Sequence, residues 1–170
     1  NKKPIYGICR GMQMLAVALG FKLSQHIENH GDRFFSEHRV LSLTPEQSDA
    51  FSKQLSASLD SREVLFTKLK ASLREYLRGF SGMVRKVLSY HHQAVDWASN
   101  PQAQADVLVT DISLDGVIEG LKHKNGLIFG NQYHVEYMKN DGLPEPFAYL
   151  LRRGLEIERS PRGCSRAHSY

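Results

Sequence analysis

Hydrophobic positions along this chain switch between the two-residue period of strands and the three-to-four-residue period of helices. Residues 4–9 read as a short buried strand. Met12, Leu15, Ala16 and Leu19 then share one face of a helix over 11–19, which Gly20 stops. Residues 21–23 form a short strand or extended connection, and 26–33 a polar loop. Residues 38–43 alternate as a strand does. Thr44 followed by Pro45 predicts an N-cap and first turn for a helix over 46–57. Leu65, Leu69, Leu73, Tyr76, Leu77 and Phe80 make the strongest helical stripe, over 61–80. Strands are expected at 84–88, at 104–111 paired with 117–122 around an Asp115-Gly116 turn, and at 127–134. A last helix covers 146–155, and 160–170 has no periodicity. Together these predict one domain over 1–158, with a helical insertion at about 46–86 and a loose tail at 159–170.

Composition narrows the class. The 170 residues are 41% hydrophobic and 24% charged, enough for one domain with a core. The net charge is +4, but the cations are scattered rather than striped and interleaved with aromatics, so nucleic acid is not an expected partner. No apolar run approaches the roughly 20 residues of a bilayer span, so no membrane partner is expected either. Cys9 and Cys164 stand too far apart to suggest a disulfide framework. A reducing compartment, the cytoplasm, is the expected location. The chain begins with Asn1 rather than Met, so an upstream segment is expected.

The candidate chemistry sits near the start, in Gly7-Ile8-Cys9-Arg10-Gly11. A thiol becomes nucleophilic when its thiolate is stabilised, and a helix N-terminus offers free N–H groups and a favourable dipole. Gly7 and Gly11 allow a close strand-to-helix turn like the Gly-x-Ser-x-Gly elbow of serine hydrolases. The Arg10 backbone N–H is placed to bind a developing oxyanion. On its own the pattern equally suits a structural cysteine in a capping turn. A nucleophile also needs a base, and the base an orienting group. His134-Val135-Glu136 supplies both if it is strand, because residues two apart point to one side. Alone, this too could be a satisfied polar strand end. His26 and His30 are four apart but lie in a polar loop, so no metal is expected. Asp115 to Glu119 reads as a hairpin.

Four blocks taken in order resemble the class I glutamine amidotransferase family: 7–13 (Gly-Ile-Cys-Arg-Gly-Met-Gln), 89–95 (Ser-Tyr-His-His-Gln-Ala-Val), 115–119 (Asp-Gly-Val-Ile-Glu) and 130–136 (Gly-Asn-Gln-Tyr-His-Val-Glu). The Cys-Arg-Gly elbow and the Ser-Tyr-His-His-Gln block look most like its γ-glutamyl-γ-aminobutyrate hydrolase, or peptidase C26-like, branch. The resemblance implies an α/β fold of three layers, flavodoxin-like, with a mostly parallel sheet flanked by helices. It implies Cys9 as nucleophile, His134 as general base then acid, and Glu136 as orienter. Gln13 matches a position that contacts the glutamyl group. Ser89, Tyr90 and His91 match a pocket-lining segment that acts largely through backbone. The implied reaction is hydrolysis of a γ-glutamyl amide through a thioester, with a small γ-glutamyl molecule as substrate and no cofactor.

The chain departs from the family pattern in places. Family members carry about two β-α units before the elbow, with a glycine-rich loop giving the second oxyanion N–H, and those first units are expected to be absent here. Val135 replaces a usual proline, the region 46–86 is longer and more helical, and Phe21 stands where a second glycine is common. Two other functions fit. One is a glutaminase subunit handing ammonia to a synthase. The other is a truncated, catalytically weak interaction module, with the 61–80 stripe meeting a partner or a second copy.

Overall fold

A computed structural model of the chain describes residues 3–27, 30, 36–57, 83–138, 147, 148 and 150. The helix expected at 61–80, most of the one at 146–155 and the tail at 159–170 lie outside the described residues.

The first strand, β1 (Ile5–Ile8), runs into α1 (Arg10–Ala18). Next come β2 (Lys22–Ser24), β3 (Ser36–Ser42), α2 (Pro45–Ala57), β4 (Met83–Ser89) and β5 (Ala94–Asp96). After a 3-10 turn (Trp97–Ser99) follow α3 (Pro101–Gln104), β6 (Val107–Ser113), β7 (Ile118–His123) and β8 (Ile128–Asn131). A second 3-10 turn spans Val135–Tyr137. Six strands form one sheet in the order β1-β8-β7-β6-β3-β4, while β2 and β5 pair separately.

The α/β class is the one the resemblance implies, and the described sheet is mixed. β1 and β8 pair in parallel, with Ile8 opposite Asn131. The other pairings, β8–β7, β7–β6, β6–β3 and β3–β4, are antiparallel. Loop length sets two of these: a short turn joins β6 to β7 and another joins β7 to β8, and a parallel crossover needs a dozen or more residues.

The sheet separates two cores. Met12 and Ala16 of α1 and Phe51 and Leu55 of α2 pack over Leu41, Val107, Val109, Ile112 and Leu121 on one face. Val40, Val87, Tyr133 and Val135 fill the other face, with Tyr6, Ile8 and Phe147 packed against them. Val40 and its neighbour Leu41 thus point into opposite cores, as the pleat requires. α2 starts as its sequence predicts. The Thr44 hydroxyl accepts the Gln47 N–H at 3.3 Å, and the Gln47 side chain accepts the Thr44 N–H at 2.9 Å, a reciprocal capping box.

Two segments differ from the sequence expectation. The strand expected from residue 104 starts at Val107, because Asn100 caps α3 and Pro101 opens it. Gln104 is the last residue of that helix, and its side-chain amide donates to the Trp97 carbonyl at 2.7 Å. The strand expected over 127–134 ends at Asn131, so His134 and Glu136 do not sit on a strand.

Candidate active site

β1 delivers the elbow. Its last residue, Ile8, is followed by Cys9, which caps α1 with φ 51° and ψ −108°. Cys9 is the one non-glycine with positive φ among the described residues, a conformation that costs an L residue energy and persists only where the surroundings enforce it. They do so here. The Cys9 N–H donates to the Asn131 carbonyl at 2.8 Å, and its carbonyl accepts the Gln13 N–H at 3.2 Å. A Cβ on Gly7 would lie 2.5 Å from the Gly11 carbonyl carbon, so only glycine lets α1 descend this close to β1. Gly11 is different: a Cβ there would meet nothing within 4 Å. The close approach depends on Gly7, and Gly11 contributes only the backbone that Gly7 touches.

The thiol is half-buried. Its S–H points at the Tyr90 carbonyl at 3.8 Å, and the Gln132 amide donates to Sγ at 3.6 Å. Burial pushes the Cys9 pKa above the ordinary thiol value, and the Glu136 and Glu119 charges add to the rise. The Arg10 N–H and the Gln132 amide oppose it without reversing it. The shift runs opposite to the one a helix N-terminus alone gives, because burial outweighs the N–H groups.

His134 and Glu136 leave the sheet at the same end as Cys9, because Ile8 and Asn131 are opposite partners in the β1–β8 pair. The His134 Nδ1 and a Glu136 oxygen are 2.7 Å apart. With Nδ1–H donating to the carboxylate, Nε2 carries the lone pair of the neutral ring. The pair is made by a 3-10 turn rather than by strand alternation, and the His134 N–H donating to the Leu88 carbonyl at 3.0 Å anchors it to β4.

The other expected residues are placed as follows. Gln13, one turn after Cys9, is buried, and its amide donates to the Gln93 carbonyl at 3.0 Å and the Gln132 side-chain oxygen at 3.1 Å. It ties α1 to both the 89–93 segment and the end of β8. Ser89 is buried at the end of β4 and Tyr90 is exposed, with its carbonyl beside the thiol. His91 is buried, 3.4 Å from a Glu119 oxygen, with its Nδ1 2.9 Å from the Gln93 carbonyl.

Sequence reading missed the group to which His91 belongs. His30, His38, His91 and Glu119 converge beneath this segment from a loop, β3, the 90–93 connection and β7. Glu119 is fully buried. Burial pushes its carboxyl up, but His38 and His91 outweigh this and hold it below the usual carboxylate range. Burial likewise pulls His38 down, and Glu119 more than compensates, leaving it raised. No spacing rule gathers four such scattered positions. Gln132, beside the thiol, carried no signal beyond its place in the fourth motif block.

The comparisons with known proteins agree with this frame. The model of the Peptidase C26 family matches residues 1–136. The carbamoyl phosphate synthase small chain of Aquifex aeolicus is 29% identical over 159 residues, 92% of this chain and 30% of that protein. A Schizosaccharomyces pombe protein named as a candidate glutamine amidotransferase is 32% identical over 155 residues, 90% of this chain and 51% of its own length. The chain thus spans about half or less of these curated relatives. The crystal structure of a candidate GMP synthase subunit from Thermoplasma acidophilum superposes with a TM-score of 0.55 at 18% identity, covering 93% of this chain and 62% of that one. That likeness concerns the fold. Among the described residues no helix is long and apolar enough to cross a membrane. With a family model matched across the elbow, the 89–95 block and the His134 turn, the chain belongs to the Peptidase C26 family, in the class I glutamine amidotransferase-like group.

Proposed function

We propose that this chain carries the catalytic Cys-His-Glu set of a hydrolase of γ-glutamyl amide bonds. The observation that carries the reading is the strained Cys9 elbow, held at the same sheet end as a hydrogen-bonded His134–Glu136 pair. In this reading His134 Nε2 takes the Cys9 proton as Sγ attacks the γ-carbonyl carbon. The Arg10 N–H receives the oxyanion that forms. Collapse breaks the C–N bond, His134 returns the proton to the leaving amine, and a γ-glutamyl thioester remains on Cys9. Water, activated by the same imidazole, then cleaves the C–S bond and frees glutamate. Glu136 holds the imidazole tautomer and faces its positive charge. Gln13 and the Ser89–His91 backbone bound the glutamyl side.

The raised thiol pKa favours this order of events. A protonated resting thiol resists oxidation and waits for substrate before His134 acts. A second reading is favoured by the Aquifex relative, a synthase small chain: a glutaminase part whose released ammonia passes to a synthase partner. The test is labelling with a glutamine-mimicking electrophile, followed by glutamate release from glutamine and from γ-glutamyl amines with no partner present. Stoichiometric labelling lost in Cys9→Ala is expected. A wild-type chain that neither labels nor turns over would overturn the reading, and turnover that appears only with a synthase partner would favour the second.

A further inference from the structure

The buried histidine–glutamate group has a geometry that neutral imidazole rings do not satisfy. His30 Nε2 lies 2.8 Å from an Asp115 carboxylate oxygen, so that nitrogen carries the proton. His91 Nδ1 faces the Gln93 carbonyl at 2.9 Å, so it is protonated as well. In the neutral rings both remaining nitrogens, His30 Nδ1 and His91 Nε2, are bare lone pairs, yet they face each other at 3.3 Å. A fully buried Glu119 oxygen is aimed at the same point, 3.4 Å from His91 Nε2, 3.9 Å from His30 Nδ1 and 3.0 Å from His38 Nε2. The His38 contact lacks hydrogen-bond geometry, and among the described residues His38 Nε2 and both Glu119 oxygens have no hydrogen-bond partner. With neutral rings, the His30 and His91 lone pairs and a Glu119 oxygen thus converge in the protein interior, with His38 Nε2 beside them, an arrangement that a cation at that point would relieve.

We propose that His30 Nδ1, His38 Nε2, His91 Nε2 and Glu119 form a four-coordinate site for a divalent transition metal, zinc by preference. Bonds of about 2.0–2.1 Å in a tetrahedron put neighbouring ligand atoms about 3.3 Å apart; the His30–His91 separation is 3.3 Å, those from Glu119 to the three rings run from 3.0 to 3.9 Å, and the His30, His38 and Glu119 ligand atoms all lie within 4.8 Å of one another. Three imidazoles and one carboxylate suit zinc over magnesium or calcium, which take oxygen ligands. Asp115 and the Gln93 carbonyl accept from the far nitrogens of two of the rings, the support that fixes tautomer and orientation in metal-bound histidines. His38 is the more accessible ring, its side chain 20% exposed against 3% for His30, and so lies on the entry side.

A site with four protein ligands is structural rather than catalytic. It fastens β3, β7, the His30 loop and the 90–93 connection at one point. That connection includes His91 and carries the Tyr90 carbonyl that faces the Cys9 thiol. The bound ion therefore acts as a positioning element for the elbow's surroundings.

The test is metal uptake by the chelator-dialysed chain. Addition of Co2+ is expected to give the intense visible bands of a four-coordinate site, at one ion per chain and without a thiolate charge-transfer band, and Zn2+ should bleach them. Cys9→Ala should keep the spectrum. His38→Gln and Glu119→Gln should each weaken Zn2+ binding by more than about 100-fold, and Asp115→Asn by about 10- to 100-fold. Circular dichroism identifies any variant that fails to fold, and the wild-type spectrum decides the question independently of them. A wild-type chain that binds neither ion at one-to-one stoichiometry would overturn the proposal. So would uptake that survives His38→Gln in a folded chain, or a site whose spectrum reports thiolate ligation.

Discussion

Two histidine–carboxylate groups stand out among the described residues, and they share almost nothing but residue types. The His134–Glu136 pair is two residues apart in sequence, and its side chains are partly exposed, 21% and 42%. The His30, His38, His91 and Glu119 group draws on distant segments and buries Glu119 completely. The first is joined by a hydrogen bond of 2.7 Å between an imidazole nitrogen and a carboxylate oxygen. In the second, the inward nitrogens of two rings face each other and a carboxylate. Water access separates their uses. An exposed imidazole can exchange protons with a substrate, whereas a buried set of lone pairs can only hold something.

Substitutions can break this contrast. The largest expected effect is at the exposed pair. His134→Asn should cut γ-glutamyl amide turnover by about 10²- to 10⁴-fold while leaving Co2+ uptake unchanged. A variant that also lost metal would show that the two groups act as one. Gly7→Ala comes next. Its Cβ would meet the α1 backbone at 2.5 Å, where no flexible side chain can yield. A loss of about 3 kcal/mol in urea unfolding is expected, since overpacking against backbone lies at the upper end of such costs. A destabilisation below about 1 kcal/mol would mean that the elbow is looser than its φ of 51° implies.

A third, smaller effect concerns pH. Burial raises the Cys9 pKa, so the folded chain favours the neutral thiol. The stability from that preference is fully present below the unfolded thiol pKa of about 8.5 and is lost as pH rises through the folded value. Iodoacetamide alkylation of Cys9 should accordingly climb about tenfold per pH unit and keep climbing above the ordinary thiol value. A rate already flat between about pH 6 and 8 would reveal a resting thiolate–imidazolium pair instead. The smallest effect is Gly11→Ala, which should shift stability by no more than about 1 kcal/mol, in the stabilising direction.

How far the sequence carried each region follows from the range of the forces involved. α1, β1 and the capping box at Thr44 were legible because periodicity and capping are local. α3 was overlooked although Asn100-Pro101 is a good start signal, because four residues are too few to show a helical period. The His134–Glu136 pairing was legible, but through the wrong geometry: a 3-10 turn, not a strand, brings the side chains together. The upward push on the Cys9 pKa was not legible at all. The helix N-terminus is visible in sequence, whereas the burial that outweighs it is a property of the packed chain.

The amino-acid sequence by itself determined β1, α1, α2, the elbow and the pairing of an imidazole with a carboxylate two residues on. Each rests on interactions within a turn or a few residues, which spacing encodes. Only the tertiary structure decided that β1 lies beside β8, aligning Cys9 with the His134 turn. It alone decided that Gly7 and not Gly11 is the tight contact, and that three histidines meet at Glu119. Those outcomes depend on which strands neighbour one another and what water is excluded, and partners as far apart in the chain as Ile8 and Asn131 carry no local signature of either.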